Sequence, residues 1–223
     1  HPLSGGKVEV KYMTAKEEDI LTSQNLIQQG TVIDVLLQAL IVDKTINIKD
    51  LLIGDKNAIM VAARILGYGK EYDFEYDGEE QQIDLSKLEP INIDFSKHIK
   101  GQNEFSLELP TTKRTVTFKL LNGHDEARID AEVKAKKKIS KDRSSELTTR
   151  LNTMLLSVDG ETDRTYITNF VENEFLSRDS LAFRNYLTNI TPDMDMTTNV
   201  IDSNGKETEV AIPVTVRFFW PTS

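Results

Sequence analysis

The sequence predicts an α+β protein with an N-terminal helical subdomain, a small antiparallel sheet inserted after it, further helices and a C-terminal β-hairpin. Residues 14–69 place apolar side chains at helical spacing. Residues 71–120 alternate short apolar and polar runs with turn residues, and an Asn-Gly pair separates two β-rich runs near the C-terminus. These changes of pattern divide the chain into the segments 1–70, 71–121 and 122–223.

Composition narrows the classes of function. The 223 residues are 39% hydrophobic, which is enough for a substantial core. A net charge of -9 argues against a dedicated nucleic-acid binder and against tight binding to an anionic membrane, and no apolar run approaches the ~18 residues of a membrane helix. The absence of cysteine excludes disulfides, cysteine-zinc sites and thiol nucleophiles. HPLSGGK lacks the apolar core of a signal peptide, but a chain that begins with His leaves an upstream targeting segment open.

The first element is predicted to be a half-buried strand at residues 5–13, GGKVEVKYM, because apolar and charged residues alternate there. Thr14 and Glu17 then fit a capping box, and Glu18 and Asp19 suit the positive end of a helix dipole. A metal or acid/base site is the alternative interpretation of this acidic triplet, but the helix start is favoured.

Three helices are predicted for the rest of this subdomain. The first ends at Gly30, Thr31 caps the second, and Asp55 caps the third, which Gly67 and Gly69 end. The predicted buried stripes consist of Val32, Val35, Leu36, Ala39 and Leu40 in the second helix and Ile59, Ala62, Ala63 and Leu66 in the third.

The middle segment is predicted to form one small antiparallel sheet that is covered on one side. YDFEY and QQIDL flank the Asp77-Gly78 turn, INIDF follows Pro90, and EFSLEL and RTVTFKL flank PTTK.

The last segment returns to helical composition over residues 124–158, with an interruption near 140–144. Two short helices follow, split at Ser177, with Ser177 or Asp179 as the cap of the second. Asn204-Gly205 then joins two strands, of which the last, IPVTVRFFW, is long and aromatic. Such a strand lies either in the core or at a subunit interface; the core is favoured and the interface stays open.

No catalytic, cofactor-binding or metal-binding residues are predicted, and neither is an enzyme. Gly54 lacks the rest of a phosphate loop, the three histidines are scattered, and no GxSxG is present. DMD at 193–195 and DSNGKE at 202–207 are only fragments of a calcium loop. The basic run KAKKK follows acids on the same helix, so a solvated helix is favoured over contact with an acidic partner. A cell-wall hydrolase is disfavoured for want of an acid/base constellation.

The helical segment nevertheless resembles a known family. YMTAKEEDILTSQNLIQQGTVIDVLLQALI, followed by DLLIGDKNAIMVAARILGYGKEY, is similar to the small baseplate hub protein family of T4-type contractile-tailed bacteriophages, which includes a hub subunit and a hub assembly protein. The likeness spans residues 3–76. Members of that family often carry a Cys-x-x-Cys pair in the hairpin after GYG; this chain has the Asp77-Gly78 turn there instead, so no metal is carried over.

The resemblance implies a structural subunit of a phage tail baseplate, at or beside the hub, that is present in multiple copies in a symmetric assembly. Its expected partners are other baseplate and tail proteins, with no nucleic acid and no membrane. Its expected location is the virion tail, and the host cytoplasm during assembly. The alternative is a non-virion assembly factor for the hub.

The matching stretch comprises Thr14, Glu17, Glu18, Asp19, Gly54, Asp55, Asn57 and Arg64. Arg64 is expected to pair with an acid of the first helix. Together with the aromatic C-terminus, these residues give a predicted interface of Glu17, Glu18, Asp19, Asp55, Arg64, Arg217, Phe218, Phe219 and Trp220.

Overall fold

The computed structural model describes residues 6–139, 145–201 and 205–219 and confirms the α+β class. The helices are α1 (Ala15–Leu21), α2 (Gln24–Gln29), α3 (Val32–Leu40), α4 (Ile53–Tyr68), α5 (Gly123–Ile139), α6 (Glu146–Met154), α7 (Arg164–Asn169) and α8 (Ser177–Ile190). The strands are β1 (Glu71–Tyr76), β2 (Glu79–Asp84), β3 (Phe105–Glu108), β4 (Thr115–Phe118), β5 (Leu155–Val158), β6 (Thr197–Ile201) and β7 (Glu207–Ala211). No helix in these ranges is long and apolar enough to span a bilayer.

The chain forms two compact units that interleave in sequence. Among the described residues, unit 1 comprises Lys49–Ile53 and Asn92–Thr191, and unit 2 comprises Gly6–Ile48, Gly54–Ile91 and the chain from Pro192 onward. The sequence-based segments 1–70, 71–121 and 122–223 do not coincide with these units, because each unit collects parts of the chain that are far apart in sequence.

Unit 1 is built around an antiparallel sheet in the order β3-β4-β5. Phe105 pairs with Phe118, and Val116 pairs with Val158. One face of the sheet packs against α6, α7 and α8 in a contiguous apolar cluster, and Phe118 lies in it with its ring 4.8 Å from that of Phe183. The prediction of helix to residue 158 is wrong for β5, because pairing with β4 draws residues 155–158 out of the helix.

A buried carboxylate anchors the turn between β3 and β4. Asp179 has no exposed surface and accepts hydrogen bonds from the backbone N–H groups of Thr111 at 2.7 Å and Thr112 at 3.0 Å. The prediction that Ser177 or Asp179 caps α8 is therefore wrong: α8 begins at Ser177, after Leu176, and Asp179 serves the turn. The predicted interruption at 140–144 lies outside the described residues.

The helices of unit 2 broadly follow the prediction. The expected first helix is two, α1 and α2, with a break at Thr22–Ser23, and Gly30 ends α2 in a left-handed conformation with φ +70°. The buried stripes were partly wrong, since Val35 and Ala62 are exposed while Leu37 is fully buried. Asp55 lies in the first turn of α4, which begins at Ile53, and does not precede it as a cap.

The strand predicted for residues 5–13 is reduced in the described part to a single antiparallel bridge between Val10 and Ile41. The bridge partner, Ile41, directly follows helix α3, so only a short stretch of extended backbone is available there for pairing.

The single predicted sheet is also corrected. The hairpin β1-β2 belongs to unit 2, whereas β3 and β4 belong to unit 1. INIDF is not a strand, because the Asp94 carboxylate accepts from the Ser96 N–H and starts a 3-10 turn at Phe95–Lys97. The C-terminal pair β6-β7 is confirmed, although Asn204 of its turn lies outside the described residues.

The long final strand is the remaining correction. Strand β7 ends at Ala211, the Ile212 N–H still donates to the Met196 carbonyl oxygen at 2.8 Å, and Val216–Phe219 form a 3-10 turn. The Thr215 hydroxyl accepts from the Arg217 N–H at 3.2 Å, which favours the turn over an extended chain.

Candidate protein-interaction site

The acidic stretch at the start of α1 is mostly used inside unit 2. The Glu17 carboxylate accepts from the Thr14 N–H at 3.1 Å, which is its half of the predicted capping box, and from the Thr14 hydroxyl at 2.6 Å. It also pairs with the Lys11 ammonium at 2.6 Å. Lys11 and Thr14 together lower the pKa of Glu17 to about 2. At 2% exposure, Glu17 is an internal anchor and is not available to a partner.

The next two acids differ in exposure. The Glu18 carboxylate accepts from the Tyr68 hydroxyl at 2.8 Å, which ties α1 to the end of α4. Burial and this hydrogen bond raise the pKa of Tyr68 to about 12. Asp19 is exposed, so it alone of the triplet offers a free surface carboxylate.

The stretch around Gly54 positions the chain that enters β6. A Cβ at Gly54 would lie 2.0 Å from the Pro192 carbonyl oxygen, so only glycine permits this backbone to cross the first turn of α4. Three residues on, the Asn57 amide donates to the Asp193 carboxylate at 2.9 Å. These contacts explain Gly54 and Asn57 structurally, and Asp55 between them is exposed.

The contact with Asn57 also accounts for the acidic DMD stretch. The Asp193 carboxylate accepts a second hydrogen bond, at 2.7 Å, from the Met194 N–H. In the described part of the chain, no group of three or more His, Asp or Glu side chains lies where it could hold a metal ion.

Arg64 does not pair with an acid of the first helix, contrary to the expectation. Its two terminal nitrogens donate to the carbonyl oxygens of Gly69 at 2.9 Å and Glu71 at 3.0 Å. The guanidinium carbon lies 5.5 Å from the ring centroid of Tyr68 and 5.8 Å from that of Tyr72. Arg64 is 3% exposed, and its burial lowers its pKa. It thus connects the end of α4 to the start of β1.

A groove of about 800 Å³ lies beside this contact in unit 2. We call it the β1 groove; it is lined by Arg64, Tyr72, Asp73, Phe74, Glu75, Glu80, Pro213, Thr215, Val216 and Arg217. The Tyr72 hydroxyl donates to the Pro213 carbonyl at 2.9 Å, and its ring meets Phe218 edge-on at 4.9 Å. One wall is therefore β1 and the other is the segment 213–217. An open groove with mixed apolar and charged walls can hold a stretch of polypeptide.

The C-terminal residues predicted as an interface separate into two groups. Phe218 and Phe219 are fully buried, as the favoured core interpretation requires, although they lie in a turn and not in a strand. Arg217 is exposed and lines the β1 groove. Trp220 lies outside the described residues.

Sequence reasoning missed the groove itself. The alternation of Tyr72, Asp73, Phe74 and Glu75 was visible and correctly predicted a strand. The alternation gives no indication of the second wall of the groove, because that wall is formed by residues about 140 positions later in the chain. The aromatic pattern of residues 213–219 is the available signal, but on its own it predicts a strand.

The basic run of α5 has the character of a solvated helix. Lys134, Lys137 and Lys138 are exposed, and Lys136 pairs with Glu132 at 2.7 Å, one helical turn before it.

Comparisons of this chain with protein-family models, with curated proteins and with solved structures find no match.

Proposed function

We propose that this chain is a structural subunit of a contractile phage tail baseplate, at or beside the hub, where it binds other tail proteins and helps to hold the baseplate together. The observation that carries the proposal is the sequence resemblance over residues 3–76. The alternative that the same resemblance allows is an assembly factor that promotes hub formation and leaves before the particle is complete.

The roles of the matching residues support a structural function. Glu17 and Arg64 make internal hydrogen bonds, and Gly54 allows a close backbone crossing. Residues used in this way shape unit 2 and the surfaces that it presents. Unit 2 thus has buried polar residues that fix its shape and an open groove on its surface. This combination suits a protein that binds other proteins.

The deciding experiment is quantitative mass spectrometry of gradient-purified phage particles, with this chain counted against known tail proteins. A fixed ratio commensurate with threefold or sixfold symmetry is expected. An abundant non-structural phage protein from the same lysate is the control for contamination. Absence from particles, despite abundance in infected cells, would contradict the structural role and leave the assembly factor as the better account.

A further inference from the structure

The outer edge of β1 has no strand beside it in the described part of the chain, where β1 pairs with β2 alone. The two-residue turn has positive φ at Asp77 and Gly78, 52° and 79°, so Tyr76 and Glu79 form the hydrogen-bonded pair next to it. Because such pairs alternate along a hairpin, the backbone groups of Asp73 and Glu75 point away from β2. Arg64 already binds the outward carbonyl of Glu71, so the unpaired edge begins at Asp73.

The outward face of this hairpin is acidic. Glu71, Asp73 and Glu75 lie opposite Asp84, Gln82 and Glu80 respectively. Of these carboxylates, Asp84 pairs with Lys70 at 2.9 Å, and Asp73 accepts from the Gln82 amide at 2.8 Å.

Glu75 and Glu80 face each other in a non-hydrogen-bonded pair, the kind whose side chains approach most closely. Like charges at this spacing repel, and neither carboxylate has an ion-pair partner among the described residues. A cation beside them would remove that repulsion.

The other side of β1 is apolar. Tyr72 and Phe74 are 4% and 9% exposed, and they line the β1 groove together with Pro213 and Val216. Arg64 lines the same groove, and its buried Nε has no hydrogen-bond acceptor among the described residues. The groove thus combines an unpaired strand edge, an apolar wall and an unsatisfied donor.

We propose that the β1 groove binds an extended segment of a partner protein that adds to the edge of β1 as a third strand. The segment carries lysine or arginine on the face beside Asp73 and Glu75 and apolar side chains on the face beside Tyr72 and Phe74. Backbone pairing supplies the attachment, and the alternating side chains supply the selectivity. This inference rests on the proposed function, since the partner is expected to be another protein of the same assembly.

Acidic residues on an exposed edge also discourage self-association, and that role alone would require no partner. The two interpretations differ in what a cationic strand does. A protective edge repels anionic strands and forms no register-specific pairs, whereas a docking edge binds a cationic strand through its backbone.

The test uses the purified full chain and fluorescein-labelled heptapeptides, with fluorescence anisotropy as the readout. A peptide of alternating valine and lysine is expected to bind, and a peptide of alternating valine and glutamate is expected not to bind. Equal binding of the two peptides, or binding of neither, would overturn the proposal.

Variants of the hairpin locate the binding. Replacing Glu75 by glutamine is expected to weaken binding of the lysine peptide by about 2- to 5-fold, because one cross-strand ion pair with the added strand is lost. The matched control is Glu79→Gln, since Glu79 is an exposed acid of the same hairpin that lies on the opposite face. An equal loss in this control would mean that the peptide responds only to net charge.

Backbone pairing is tested with two further lysine peptides, one N-methylated at the lysine amides and one at the valine amides. Only alternate N–H groups of an added strand face β1, so one of the two is expected to lose binding. If both bind as well as the parent peptide, strand addition is wrong. These experiments use the isolated chain, so their failure leaves the particle stoichiometry, and with it the proposed function, untouched.

Discussion

Units 1 and 2 hold distant parts of the chain together in different ways. Both bury apolar side chains, but in unit 1 a contiguous apolar cluster that includes Phe118 joins the sheet to α8. In unit 2 the distant segments meet both by aromatic packing, as between Tyr72 and Phe218, and at polar contacts with defined geometry, such as Asn57 with Asp193 and Tyr72 with Pro213. Apolar packing depends on volume, whereas a buried hydrogen bond depends on one specific donor and one specific acceptor. The stability of unit 1 should therefore be most sensitive to loss of buried side-chain volume. The stability of unit 2 should be most sensitive to small changes at the residues that join its distant segments.

The largest effect is expected from Phe118→Ala in unit 1. Phe118 is fully buried among Phe105, Phe183 and Tyr186, so truncation should cost about 3 to 5 kcal/mol of stability. Hydrogen exchange followed by mass spectrometry should show the loss in peptides of β3 to β5. Phe95→Ala is the control, because Phe95 is 52% exposed and its removal should cost little. Similar losses for the two variants would contradict the assignment of the core.

Gly54→Ala tests whether a single methyl group is enough to disturb unit 2. The added Cβ would meet the backbone of Pro192 and Asp193, so destabilisation near the upper end of the ~1–3 kcal/mol range for overpacking is expected. Gly67→Ala is the matched control in the same helix. There the nearest atom is the flexible end of Met13 at 3.3 Å, and alanine favours the helix by about 1 kcal/mol. Urea unfolding should therefore give a lower midpoint than the unaltered chain for Gly54→Ala and an equal or higher midpoint for Gly67→Ala.

How far the sequence predicts the structure depends on how far apart the interacting residues are. The capping box at Thr14 and the Asp77-Gly78 turn are local and were predicted correctly. β5 was missed because its strand character comes from pairing with β4, about 40 residues away. INIDF and IPVTVRFFW have the β-rich composition of strands, but hydrogen bonds accepted by single side chains, Asp94 and Thr215, favour turns there.

The same distance limit applies to the candidate site. The sequence predicts an acid of the first helix as the partner of Arg64, but its partners are the carbonyl oxygens of Gly69 and Glu71, which no sequence pattern marks. The segment that forms the second wall of the β1 groove is distant from β1 in the sequence, so the groove had no local signature.

Asp179→Asn tests the buried carboxylate that anchors the β3-β4 turn of unit 1, a polar contact in a unit held together mainly by apolar packing. Burial alone would raise the pKa of this carboxyl, but hydrogen bonds from the turn at Thr111 and Thr112 lower it overall. The ionised form therefore stabilises the fold above the ordinary pKa of 3.8, and this contribution is lost as the pH falls through the lower folded value. Asparagine should cost about 2 kcal/mol at neutral pH, since hydrogen bonds to a charged group are lost. Faster exchange confined to the β3-β4 turn would confirm the anchor; unchanged exchange there would contradict it.

Glu17→Gln is the corresponding test in unit 2. The pKa of Glu17 lies at about 2, below its ordinary 4.5, so its contribution is fully present above pH 4.5 and lost as the pH falls from there towards 2. The variant should lose about 1 kcal/mol at pH 7 and show a flatter decline in stability over that window. Asp19→Asn, an exposed acid of the same helix, should leave the decline unchanged. Thermal unfolding monitored by circular dichroism across pH 2–7 measures both.

The smallest effect on stability is expected at a residue that is of a helix-capping type and precedes a helix but makes no capping hydrogen bond. Thr31 precedes α3, yet its side chain makes no capping hydrogen bond and its backbone is helical, with φ -107° and ψ 0°. Asp163 precedes α7 in unit 1, and its carboxylate accepts from the Tyr166 N–H at 2.8 Å. Thr31→Ala should thus cost less than ~0.5 kcal/mol, whereas Asp163→Ala should cost about 1 kcal/mol. A loss at Thr31 as large as that at Asp163, measured by urea unfolding, would mean that the hydroxyl caps α3 in solution and that unit 2 relies on the same local signals as unit 1.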